Sequence, residues 1–170
     1  FAGGFTAGFS GDGGPATAAK LNAANGLAVG SDGTVFIVDS GNRRVRRVIP
    51  SGTITTIAGN GYASFGGDGG PAVSAVLSPT SAVATDSQGI LYIADRENHR
   101  IRKVDSSGTI TTIAGDGTAA STGDGGPASS ARVRLPHSIV VDAGGTVFFA
   151  EESSVVGSSI TFRVRTISPS

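Results

Sequence analysis

The string Gly-Asp-Gly-Gly-Pro-Ala occurs three times, at Gly11–Ala16, Gly67–Ala72 and Gly123–Ala128, each 56 residues from the last. A second string, Gly-Thr-Ile-Thr-Thr-Ile-Ala-Gly, stands at Gly52–Gly59 and Gly108–Gly115 with the same spacing. Two strings sharing one period mark a tandem repeat, and repeats bury like faces against like neighbours. The period divides the chain into residues 1–8, expected to be the end of a strand from a preceding unit, and units 9–64, 65–120 and 121–170. The last unit is incomplete and departs from the pattern near 153–161.

Each unit reads as short strands. In the first they are Gly26–Gly30, Val35–Asp39, Val45–Ile49 and Thr53–Ala58, rich in β-branched residues and bounded by Gly, Asp, Asn, Ser or Pro. Asp32-Gly33 and Ser51-Gly52 are tight-turn pairs between them. The second unit repeats the set at Ala82–Asp86, Leu91–Asp95, Ile101–Asp105 and Thr109–Ala114. The third offers Ile139–Asp142, Val147–Glu151 and Phe162–Ile167. Between units, Pro followed by several Ala predicts one helical turn, anchored by Leu21 and Leu77.

Four antiparallel strands per unit, repeated in tandem, is the pattern of β-propeller blades. Asp39-Ser-Gly-Asn42-Arg-Arg44-Val45 and Asp95-Arg-Glu-Asn98-His99-Arg100-Ile101, each after an apolar strand, resemble NHL repeats. The resemblance covers about residues 9–167 and implies an all-β fold of three four-stranded NHL-like blades. The third unit has Glu151 where Asp39 and Asp95 stand, and Arg163 follows Arg100 by 63 residues, so about seven are inserted around 155–161.

Three blades do not close a ring, since closed propellers have roughly 4–8. Phe1-Ala2-Gly3 aligns with Ile57-Ala58-Gly59, the tail of a fourth strand, while the third unit stops at Ile167-Ser168-Pro169-Ser170 before its own. The start carries no leader pattern, so the chain is expected to be a processed product or a piece of something longer. Open blade ends expose apolar surface that seeks a partner. The expected partners are a second copy, completing a six-bladed ring, a longer parent chain, or filament neighbours, with a protein or glycan ligand beyond these.

Composition narrows the chemistry. Lys plus Arg and Asp plus Glu are 13 each, so no net field attracts nucleic acid. There is no cysteine, which removes disulfides, thiolate metal sites and thiol nucleophiles. No apolar run reaches the length of a membrane-spanning helix.

The candidate residues are weighed against this frame. Asp12, Asp68 and Asp124 sit one per Gly-rich loop, too few oxygens for a calcium loop, and are expected to form a turn or cap the next helical turn. Asp39, Asn42 and Arg44, with Asp95, Asn98 and Arg100, are expected to be structural, Asp pairing with the Arg five residues on. Arg43, Arg44, Arg46 and Arg47 alternate across a strand, so they form no single basic face for RNA. His99 and His137 are too few for a metal centre; His137, at a strand entry, is the weak metal candidate. The insert Ser153–Thr161 is a candidate contact loop, with Ser153, Val155, Val156 and Ile160 at its surface.

The expected function is a non-catalytic scaffold or protein-interaction module without cofactor. The NHL resemblance implies an extracellular or cell-surface location. The alternatives are a structural subunit of a surface appendage or filament, and a metal-dependent propeller lyase or hydrolase.

Overall fold

A computed structural model describes residues 1–156 and 159–169, with the backbone alone at Val155 and Val156; the insert's Gly157 and Ser158 lie outside the described residues. Its strands are β1 (Ala24–Val29), β2 (Val35–Asp39), β3 (Arg44–Val48), β4 (Ile54–Ala58), β5 (Ala82–Thr85), β6 (Leu91–Asp95), β7 (Arg100–Val104), β8 (Ile110–Ala114), β9 (Ser138–Val141), β10 (Val147–Val156) and β11 (Ser159–Ile167). They form three antiparallel sheets ordered β1-β2-β3-β4, β5-β6-β7-β8 and β9-β10-β11. The first two are complete blades. Among the described residues the third has three strands.

The blades stack face to face, with inner strands β1, β5 and β9 side by side. Alternation along each strand sends one set of apolar side chains to the previous blade and the other to the next. Phe36, Val38 and Val45 of the first blade pack on Val83, Leu91 and Ile93 of the second. Ala84, Tyr92, Ala94 and Ile101 of the second pack on Ile139, Val147 and Phe149 of the third. Leu77 is buried in the first of these interfaces, and Leu21 packs partly buried on the far face of the first blade.

The predicted helical turns are single 3-10 turns at Ala16–Ala18, Ala72–Ser74 and Ala128–Ser130, each after a proline. Ser40–Asn42 and Arg96–Asn98 also form 3-10 turns, followed by Arg43 (φ 53°) and His99 (φ 56°) in the left-handed region. A non-glycine residue there costs about 1–2 kcal/mol, so surrounding bonds must hold it.

Candidate functional site

The repeated motif builds one polar clamp in each blade. In the β2–β3 register Asp39 lies opposite Arg44 and Ile37 opposite Arg46, which places Asp39 and Arg46 on one face of the sheet. The Arg46 guanidinium bonds Asp39 Oδ2 at 3.4 Å and Asp12 Oδ1 at 2.7 Å. In the second blade Arg102 bonds Asp95 Oδ2 at 3.1 Å and Asp68 Oδ1 at 2.6 Å. Both arginines and both strand-end aspartates are fully buried. Buried charge is tolerated when its remaining sites are bonded. Asp39 Oδ1 accepts the Asn22 N–H at 2.7 Å and Asp95 Oδ1 accepts that of Ser78 at 3.0 Å. Asn42 and Asn98 donate to the same carboxylates at 2.9 Å. Burial pushes the Asp95 carboxyl up, against the pull of the Asn98 amide, the Ser78 N–H and Arg102.

Two expected pairings are corrected. Asp39 and Asp95 pair with the arginines seven residues on, Arg46 and Arg102. Arg44 and Arg100 instead donate to the carbonyls of Asn42 and Asn60, and of Asn98 and Asp116. The physical reason is reach: the diagonal arginine lies deep in the sheet, whereas the opposite one turns outward over a Gly-rich loop. Asp12, Asp68 and Asp124 do not cap the 3-10 turns, whose caps carry no side-chain bond. Asp12 and Asp68 close the outer side of the clamp and accept hydroxyls of Thr56 and Thr112 at 2.7 Å.

Phe9 and Phe65 complete each clamp and carry a role that sequence reasoning missed. The Phe9 ring lies 3.8 Å from the Arg44 guanidinium carbon and 4.9 Å from that of Arg46. The Phe65 ring lies 3.7 and 4.8 Å from those of Arg100 and Arg102. A desolvated guanidinium over an aromatic face is held by the ring quadrupole. Their exact repetition in the 56-residue register was the available signal.

The third blade rebuilds the clamp with other residues. The position of Phe9 and Phe65 is Ser121, and that of the aspartates is Glu151. The longer Glu151 side chain accepts the Ser121 hydroxyl at 2.6 Å, the Arg134 N–H at 2.7 Å and Arg165 at 3.3 Å. Arg165 also reaches Asp124 at 2.7 Å, and Arg163 reaches it at 3.2 Å.

The arginine run is dispersed as strand alternation predicts: Arg46 and Arg102 point inward to carboxylates. His99 Nδ1 accepts the Leu135 N–H at 3.2 Å, tying the second blade to the third. Burial lowers the His99 pKa from 6.5, with Glu97 opposing and Arg134, Arg100 and Arg96 adding to it. His137 is set edge-on to Phe162, ring centroids 5.3 Å apart. Among the described residues, no group of three or more His, Asp or Glu comes together to hold a metal ion.

The insert is a hairpin rather than a loop. It extends β10 and β11 beyond the blade, with Val155 opposite Ile160 and a register shift between Glu152 and Ser154. The Ser153 and Thr161 hydroxyls bond across it at 2.7 Å. Ile160, Phe162 and Val164, two apart on β11, form an exposed apolar stripe on one face.

The two outer blade faces are open. Leu27 is 68% exposed, although its counterparts Val83 and Ile139 are 4% and 5% exposed against a preceding blade. Val164 is 69% exposed, whereas its counterparts Val45 and Ile101 are fully buried against a following blade.

Comparison with known proteins agrees with this architecture. A profile described as the Teneurin NHL domain matches residues 5–65, and one for the NHL repeat matches residues 78–104. Teneurin-4 of Mus musculus is 30% identical over 150 residues, which are 80% of this chain and 5% of that protein. The chain thus spans about a twentieth of the length of this curated relative. A structural-genomics protein of unknown function from Bacteroides thetaiotaomicron superposes with a TM-score of 0.63 at 23% identity, over 80% of this chain and 33% of that one. A gluconolactonase from Xanthomonas campestris superposes at 0.57 and 16% identity, over 88% and 44% of the two chains. At these identities the two solved structures share the fold.

Proposed function

Because the chain belongs to the NHL-repeat family of β-propellers, we propose that it is a non-catalytic propeller module, a rigid set of blades that works by binding protein surfaces. The observation that carries this reading is the contrast between its polar and apolar residues. The repeated Asp, Asn and Arg residues are taken up within the blades by the clamps at Arg46, Arg102 and Arg165. Apolar side chains lie open at the outer faces, at repeat positions that are buried wherever two blades meet. A scaffold needs this pattern: a rigid interior and unsatisfied ends.

The outer faces take further blades. Two copies would make a ring of six, within the roughly 4–8 of closed propellers. Blades supplied by a longer parent chain would cover the same faces, a reading supported by the small share of Teneurin-4 that this chain matches. The module works at the cell surface or outside the cell, the location implied by its NHL resemblance. No described helix is long and apolar enough to cross a membrane.

Light scattering after size exclusion tests the module. A dimer of defined mass supports closure by a second copy, and a soluble, well-folded monomer overturns the need for any covering partner. Head-to-tail polymers would favour a filament, since the two outer faces are different surfaces and a contact between them need not close.

A further inference from the structure

Between the first and second blades, among the turns that join β1 to β2, β5 to β6 and β7 to β8, lies a cleft of about 710 Å³. Small-molecule sites span roughly 300–1,000 Å³. Both flanking blades have all four strands, so the cleft stands apart from the outer faces and whatever covers them. Phe36 and Val104, both buried, form its floor, and Arg47 lines it from β3. Ser31, Ser87 and Gln88, all exposed, stand at its mouth.

Arg47 is half-buried and stands opposite Phe36 in the β2–β3 register, on the face turned to the second blade. Its Nε is buried and has no hydrogen-bond partner among the described residues. Arg46 holds two carboxylates, whereas Arg47 pairs with none among the described residues. The two carboxylates that line the cleft are engaged in their own turns. Asp32 accepts the Thr34 N–H at 2.9 Å and the Thr34 hydroxyl at 2.8 Å. Asp105 Oδ1 accepts the Ser107 N–H at 2.9 Å, the Ser107 hydroxyl at 2.6 Å and the Thr109 N–H at 3.0 Å. The second unit differs at this place. Tyr92 stands for Phe36, Lys103 for Arg47 and Asp86 for Gly30, each 56 residues on. The Tyr92 hydroxyl donates to Asp86 Oδ2 at 3.1 Å. The first unit lacks both partners of that bond, since Phe36 has no hydroxyl and Gly30 no carboxylate. The exchange leaves its guanidinium without an anion.

Three features set what fits. A guanidinium fork takes a carboxylate through two parallel hydrogen bonds. Hydroxyl and amide groups at the mouth both give and accept hydrogen bonds, as a polyol does. Asp32 and Asp105 accept hydroxyl groups but repel a second negative charge. We infer that this cleft binds a hexuronate, a sugar ring bearing a single carboxylate. The carboxylate lies on Arg47, and the ring hydroxyls face Ser31, Ser87 and Gln88. Arg47 gives affinity through charge, and the hydroxyl-rich mouth selects a sugar over a plain carboxylic acid.

Isothermal titration calorimetry of the whole chain with sodium glucuronate tests the site. Saturable binding at one per chain is expected. Glucose, which lacks the carboxylate, and acetate, which lacks the ring, should each bind at least about tenfold more weakly. Arg47→Gln should weaken glucuronate binding by about tenfold or more while circular dichroism stays unchanged. Lys103→Gln, the same change one unit on, should leave the affinity as it is. If Arg47→Gln does not fold, Ser87→Asp serves instead: it adds a negative charge at the exposed mouth and should weaken glucuronate but not glucose. Overturning results are no saturable glucuronate binding, equal affinity for glucose or acetate, and an unchanged affinity in whichever of the two variants folds.

Discussion

Replacing Arg102 with Met tests the clamp at its centre. The guanidinium is fully buried and reaches Asp95 at 3.1 Å, Asp68 at 2.6 Å and the Gly66 carbonyl at 3.3 Å. Asp68 can turn to water, but Asp95 cannot, and keeps only the Ser78 N–H and the Asn98 amide. Stranding one charge of a buried pair costs about 3–5 kcal/mol. Against a whole-domain stability of roughly 5–15 kcal/mol this is a large share. At a urea m-value of about 2 kcal/mol/M, a loss of about 4 kcal/mol lowers the unfolding midpoint by about 2 M. The Arg102→Met, Asp95→Asn double variant removes the stranded charge and should recover more than half of that shift. Acidity gives a second readout. With Arg102 gone, the folded pKa of Asp95 rises further above its unfolded value of 3.8, so the folded state favours the neutral acid. Stability is then fullest at low pH and falls as pH rises through the folded pKa, so the penalty of Arg102→Met should shrink on acidification. A penalty under about 1 kcal/mol, or equal penalties for the single and double variants, would refute the clamp as a buried charge pair.

Three other perturbations follow from the same geometry. Gly59→Ala puts a Cβ onto the Arg43 carbonyl oxygen at a positive φ of 90°, so a loss of about 1–3 kcal/mol in urea denaturation is expected; an unchanged midpoint would contradict the close approach. His99, whose folded pKa lies below 6.5, supplies stability that is present above 6.5 and lost as pH falls towards its folded pKa. Melting temperature measured on either side of 6.5 should therefore drop on the acid side, and His99→Asn should flatten that drop. Val164→Asp and Leu27→Asp charge the two open faces, where burial is slight, so circular dichroism should be unchanged while light scattering reports loss of self-association.

The period made most of the fold legible before any coordinate, because strand length, turn pairs and repeat spacing are local properties of the chain. The β2 and β6 spans agree with the sequence reading residue for residue. What stayed hidden depends on register and depth. Arg44 and Arg46 look alike in sequence, and only the diagonal geometry of β2 and β3 sends Arg46 inward to Asp39. Nothing local to Phe9 announces the two guanidinium groups that lie against its ring, because both come from β3, more than 30 residues on. The insert reads as a loop, yet β10 and β11 already pair antiparallel, so added residues prolong their ladder. In the third unit Ser121 for Phe and Glu151 for Asp lie 30 residues apart in the chain, and only in space are they one paired exchange, since Glu151 reaches Ser121.

The clamps also have a mechanical consequence. Asp12, Arg46 and Thr56 belong to one unit, as do Asp68, Arg102 and Thr112, so the charged ties of these clamps run within blades, while the Arg96–Glu152 pair at 2.9 Å crosses from the second blade to the third. Between the first two blades the main contact is the apolar layer from Phe36 to Ile93. A pulling force on the chain ends would load these two kinds of bond differently. Non-directional apolar layers yield gradually as blades slide and peel, whereas ion pairs sealed from water give way abruptly. Stretched in a force spectrometer, the protein should lengthen in discrete increments of about one 56-residue unit, each blade rupturing as a whole after parting from its neighbour.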